Sequence, residues 1–191
     1  LHQDISRVGA LELNFYNKYF DVDYNLQLKK HVDLNKPVVF LMGLDEIDLS
    51  SLRNAYVVYL GHHGDKAASI ADIILPTPAY TEKSSTYMNI EGRVIQTNKC
   101  HNPLGVAREE WKIFRVLSNL LSQKLEFNNI SELRNEITKK YNQFSSLNDI
   151  NPIKEITCHK NHKLNDIKIK YNISNFYMND SISRSSETMA L

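Results

Sequence analysis

Cysteine is scarce in this chain of 191 residues: Cys100 and Cys158 are the only two. A disulfide framework needs more, so a reducing compartment is the default expectation. Two thiols also fall short of the four thiolates that hold an ordinary iron–sulphur cluster. Surplus charge of either sign is lacking as well. Lys and Arg number 23 against 22 Asp and Glu, a formal net charge of +1, and no Lys/Arg block is long enough to track a phosphate backbone. Nucleic acid is therefore not an expected partner. Long apolar runs are missing too. The longest candidates, 38–42 and 70–75, are strand-sized, far below the roughly 20 residues that cross a bilayer as a helix. The first residues show no basic and apolar regions of a secretory signal. The chain starts without Met, as a processed product or the inside of a longer one would. A soluble protein is expected, reaching a membrane only through a larger assembly.

What is present is unevenly spread. Hydrophobic residues make up 42% and lie mostly before Phe144, while the later stretch is rich in Asn, Ser and Lys. The Asn, Ile and Lys usage of Phe127-Asn-Asn-Ile and Ile150-Asn-Pro-Ile-Lys fits an A/T-rich coding genome. A chain of this length forms one domain with an extension. The expected division is an α/β portion over 1–144 and an irregular interaction tail over 145–191.

Ile5, Val8, Leu11 and Leu13 sit near helical spacing and predict an amphipathic helix over 2–13. After a polar, tyrosine-containing linker to Asn35, residues 36–43 (Lys-Pro-Val-Val-Phe-Leu-Met-Gly) read as a strand with Pro37 at its mouth and Gly43 releasing the turn. Its continuous apolar run fits a parallel strand covered on both faces. Residues 45–53 predict a short helix and 54–61 a second strand. Asp65 is placed to cap a helix over 66–71, and 73–75 form a third buried strand ended by Pro76 and Pro78. Residues 86–89 and 93–97, joined through Glu91-Gly92, predict a hairpin. A helix over 108–121 carries Trp111, Phe114, Leu117 and Leu121 on one stripe, and another over 131–141 carries Leu133 and Ile137. Past Phe144 the periodicity fades into a tail with anchors at Phe176-Tyr177-Met178 and Met189.

This rhythm gives α/β: a partial, Rossmann-like parallel sheet, a small hairpin, two following helices and an extended tail. Three short strands make a poor self-contained doubly wound sheet, because parallel sheets need both faces and both edges covered. The expectation is that the chain completes a sheet whose other strands lie in another chain or a missing part of the same protein.

Several clusters carry chemistry-bearing residues without a complete site. Gly61-His-His-Gly-Asp65 offers two imidazoles, but neighbours in an extended segment point to opposite faces. The flanking glycines read as enabling positive φ in a strand-to-helix turn. Asp65 at the mouth opposes a phosphate, and dinucleotide and Walker patterns are absent. Cys158-His-Lys-Asn-His162, with Cys100-His101, has no zinc spacing. Tyr80-Thr-Glu-Lys-Ser-Ser-Thr has no histidine placed to act as base, so Glu82 and Lys83 read as capping or ion-pair residues. Arg93, Arg108 and Glu109 read as paired charges. The serines of 181–186 beside Arg184 could accept phosphate, though serine-rich tails are common. No catalytic, cofactor-binding or metal-ligating residue is assigned.

Four ordered blocks resemble the family of the largest iron–sulphur (75-kDa) subunit of respiratory complex I. They are the segment 61–97, Ala107-Arg-Glu-Glu-Trp-Lys-Ile-Phe-Arg115, the tail Asn175-Phe-Tyr-Met-Asn-Asp-Ser-Ile-Ser-Arg-Ser-Ser-Glu-Thr-Met-Ala190, and the leading helix. The resemblance leaves out roughly 145–171, and Ala67-Ala68 and Thr77-Pro78 depart from the family's glycine and alanine. It implies the end of a molybdopterin-oxidoreductase-like region that has lost its cofactor, serving NADH:ubiquinone oxidoreductase without holding clusters. Iron–sulphur clusters are then expected in the cluster-bearing N-terminal part or a partner chain. The implied partners are that part, the flavin-bearing NADH-oxidising module and other peripheral-arm subunits. The implied location is the matrix side of the mitochondrial inner membrane, or the cytoplasmic face of a bacterial one, and a split mitochondrial gene would suit the composition. The alternatives are a small molybdopterin-type oxidoreductase fragment and a zinc-stapled binding module using Cys158 and His162.

Overall fold

The structure, a computed structural model, describes residues 7–15, 36–44, 48–64, 66–150, 177–178 and 180–189. Helix α1 (Arg7–Glu12) leads. Strands β1 (Val38–Met42), β2 (Tyr56–Gly61) and β3 (Ile73–Pro76) then form a parallel sheet in the order β1-β2-β3. Phe40 lies opposite Val58, and Val58 opposite Ile73. Because side chains alternate, Val38, Phe40, Met42, Val58, Leu60 and Ile73 share one face. The other face is closed by a 3₁₀ turn (Leu49–Leu52) and helix α2 (Lys66–Ile70). There Leu41, Leu52, Val57, Tyr59 and Ala67 make the first core. Asp72 locks β3 to β2: its Oδ2 accepts from Val57 N at 2.6 Å, and its own N donates to Val57 O at 2.9 Å.

The second core is built around the antiparallel hairpin of β4 (Thr86–Met88) and β5 (Val94–Gln96). Asn89 Oδ1 accepts from both Glu91 N and Arg93 N, and Gly92 takes φ +80°, which a side chain disfavours. Helix α3 (Glu110–Leu120) returns to the sheet, where Phe114 stacks on Phe40 with ring centroids 5.6 Å apart. Helix α4 (Ile130–Lys140) and a 3₁₀ turn (Asn142–Phe144) bring Phe144 against Met88 and Val94, with Val8, Leu13, Ile137 and Tyr141 around them. Leu147 bridges to Val94, and Asn148 N donates to Val94 O at 2.9 Å. Residues just past Phe144 therefore stay on the hairpin.

The mixed α/β architecture, parallel sheet, hairpin and two following helices match the expectation. The differences are local. The outer strands are only partly buried: Leu41 lies in the first core, but Val38, Met42 and Ile74 are 57%, 53% and 52% exposed. Leu121 is the C-terminal cap of α3, lying at the end of the predicted stripe, and is exposed. The cap of α4 is Asn129, whose Oδ1 accepts from Glu132 N at 2.9 Å; Ser131 is already inside the helix. The tail holds a short helix α5 (Ser181–Ser185), capped by Asp180 through Ile182 N and Ser183 N. Residues 1–6, Asp65, Phe176 and the Cys158–His162 cluster lie outside the described residues.

Candidate functional site

The feature that stands out is an open sheet. Gly43 N donates to Leu60 O and Tyr56 N to Pro37 O, so alternate residues of β1 hydrogen-bond β2. The main-chain groups of Val38, Phe40 and Met42 consequently point the other way. Among the described residues β1 and β3 are both edges of the sheet. On the face shared with Phe114, Val58 and Leu60 at the centre are buried, whereas Val38, Met42, Tyr56 and Ile73 at the margins are exposed. Val116 and Leu120, one helical turn apart on α3, are also exposed. Large apolar side chains left exposed along the margins of a sheet suit packing against further protein.

The second region is the loop at the carboxyl ends of the strands. Gly61 does not take positive φ, and neither does Gly64. The turn reading of these glycines is thus corrected: a Cβ on Gly61 would overlap the Tyr59 ring and hydroxyl, so Gly61 makes room for a buried side chain. The Tyr59 hydroxyl donates to His63 O at 3.2 Å. His62 and His63 also depart from expectation. They lie in the bend beyond β2, where strand alternation no longer applies, and their Nδ1 atoms approach to 2.6 Å. At that separation one ring donates and the other accepts. His62 is held below the ordinary histidine pKa of 6.5, first by partial desolvation, then by His63 and Lys83, with Glu110 and Asp180 opposing.

Neighbouring polar residues are engaged in structure. Glu82 Oε2 accepts from Ala79 N at 3.0 Å, a capping contact. Lys83 Nζ meets Glu110 Oε1 at 2.5 Å, joining the loop after β3 to α3. Glu109 accepts from Trp111 Nε1 at 2.9 Å and Lys112 Nζ at 2.6 Å. Burial raises its carboxyl pKa, and these bonds outweigh burial to leave it below the usual range. Arg93 lies 3.9 Å from Glu91 and donates to Asn148 O. The Arg108 side chain donates to Ala107 O, and its expected acidic partner is not found among the described residues. Arg134, which the sequence did not single out, ties α4 to the hairpin through Thr86 Oγ1, Ser85 O and Thr97 O. No local spacing announces it, because its acceptors lie 37 to 49 residues away.

Comparisons with known proteins fit this frame. Residues 1–120 match the family model described as molybdopterin oxidoreductase, and residues 154–191 match a model of the C-terminal region of an NADH-ubiquinone oxidoreductase subunit. The first covers more than half of the chain, which therefore belongs to the molybdopterin oxidoreductase family. Curated relatives point to one branch. Along its whole length the chain is 40% identical to the mitochondrial NADH-ubiquinone oxidoreductase 78 kDa subunit of Candida albicans and 37% identical to the 75 kDa subunit of Reclinomonas americana. An NADH-quinone oxidoreductase subunit of Rickettsia bellii is 36% identical, again over the whole chain. The chain spans 26%, 27% and 26% of these three relatives, about a quarter of each.

Among the described residues Cys100 is an exposed free thiol, and no three His, Cys, Asp or Glu side chains converge as metal ligands. A cavity of about 250 Å³ lies between β5 and α4, lined by Gln96, Arg134, Asn135 and Phe144. Its lining comes from the hairpin, α4 and the residues that follow it, and includes none of the carboxyl ends of the parallel strands, where open α/β sheets take ligands. No described helix is long and apolar enough to cross a membrane.

Proposed function

We propose that this chain is a structural piece of the large iron–sulphur subunit of a proton-pumping NADH:ubiquinone oxidoreductase. It completes an α/β region of that subunit and holds neighbouring subunits, supporting electron transfer from NADH to quinone without carrying the clusters. The companion part supplies the cluster thiolates, since four are needed and this chain has two cysteines. Its neighbours in this reading are the cluster-bearing part and the flavin-bearing NADH-oxidising module, on the matrix side of the mitochondrial inner membrane. Residues 1–144 belong to the α/β portion, Leu147 and Asn148 stay on its hairpin, and the rest of 145–191 serves as the interaction tail.

One observation carries the reading. Val38, Met42 and Ile74 on the outer strands of the sheet are exposed in a chain that aligns end to end with relatives about four times its length. The test is affinity purification of the tagged chain from native membranes. The expected result is co-recovery of NADH-oxidising activity and of iron–sulphur signals from companion polypeptides. Recovery of the tagged chain as a free, cooperatively melting monomer overturns the proposal.

A further inference from the structure

We infer that the outer edge of β1 is where the remainder of the subunit adds a parallel β-strand, through the main chain of Val38, Phe40 and Met42. The inference rests on the proposed function for the identity of the companion and adds the edge, the mode and the direction of pairing.

Three observations, the last of them against β3, point to β1. Its outward main-chain groups belong to residues that are themselves exposed and apolar, Val38 at 57%, Phe40 at 38% and Met42 at 53%. An incoming strand with its connecting helix would satisfy the ladder and cover that face together. Second, β1 carries none of the features that blunt a permanent edge. Between Val38 and Met42 there is no charge, proline or bulge, and such an edge left bare is a template for uncontrolled pairing. Third, β3 is closed at its exit. Pro76 has no N–H, and its carbonyl accepts from Arg108 N at 3.0 Å. Direction follows from the sheet, since both existing pairings are parallel and all-parallel sheets are the favoured continuation. Main-chain pairing gives the affinity in this mode, and alternate side chains give the register.

The test uses the tagged chain in its native assembly with a photoreactive benzoylphenylalanine at position 38 or 42, and at 73 as the control edge. Position 38 is expected to crosslink to one apolar segment of the companion polypeptide, and 42 to the same segment about four residues further on, the sign of a parallel strand. Reversed order, crosslinks into residues 16–35 of this chain, or no crosslink from an intact assembly overturns the inference. A paired Val38→Lys and Met42→Lys variant is expected to lower co-recovery of the companion about tenfold, with Ile73→Lys within about twofold of wild type. Equal recovery of both variants also overturns it. If the unsubstituted chain fails to co-purify at all, the proposed function has failed; if it co-purifies but the β1 probes behave otherwise, only this inference has.

Discussion

The parallel sheet and the hairpin unit handle apolar sequence in opposite ways. The hairpin strands are only three residues each, yet Val94 is fully buried, Met88 is 4% exposed and Phe144 is 6% exposed. Elements distant in sequence, α1, α4 and the following 3₁₀ turn, close over them. The sheet has longer and more apolar strands, and only β2 is buried along most of its length. Strand length and hydrophobicity therefore do not decide which region is finished. The hairpin buries what it has, whereas the sheet exposes what a larger body would bury.

A paired substitution breaks or sharpens that contrast. Phe144→Ala removes a core ring and is expected to cost about 3–5 kcal/mol, with or without companion polypeptides. Phe40→Ala loses a half-covered ring and its contact with Phe114, about 1–2 kcal/mol in the chain alone. In the assembly, where the strand is covered, its cost should rise toward that of Phe144→Ala. Hydrogen exchange across 56–61 and 86–96, in free and assembled protein, reads both. An equal effect of Phe40→Ala in the two states would show that the sheet is already complete.

The sequence made the sheet legible because continuous apolar runs bounded by Pro37, Gly43, Pro76 and Pro78 belong to parallel strands. It also made the hairpin legible through Glu91-Gly92, and the roles of Glu82 and Lys83 through their lack of a placed base. Less visible was what depends on neighbours distant in sequence. Burial of β1 and β3 was inferred from their composition, but composition records the finished environment and not the fraction of it this chain supplies. Local signals were also passed over. Asn129 with Glu132 three residues on is a helix-start pattern, and Asp180 before Ser181–Ser185 is another. The histidine geometry was missed because alternation was extended one step beyond the end of β2.

A smaller effect tests how firmly the hairpin unit is tied together. Arg134→Met removes donors to Thr86 Oγ1, Ser85 O and Thr97 O. Ser85 O keeps the bond from Thr97 N, so the expected loss is moderate, about 1–2 kcal/mol. Faster exchange should be confined to α4 and the hairpin, with β2 unchanged. Loss of protection in β2 as well would mean that the two cores unfold together and are not separate units.

The smallest effect belongs to the loop between the two regions. His62 has its pKa lowered on folding, chiefly by desolvation and then by His63 and Lys83. The unfolded chain therefore binds the proton more readily, and stability rises with pH through the window between the folded value and 6.5. Its contribution is fully present above that window and is lost as pH falls through it. His62 remains largely open to water, so only a fraction of a kcal/mol is expected, in keeping with screened surface electrostatics. His62→Gln should flatten this part of the melting profile of the assembled protein below neutral pH. The effect should appear in exchange at 59–64 and leave 86–96 untouched, because the hairpin core has no part in the histidine pair. A pH response that survives the substitution would show that His62 is not its source.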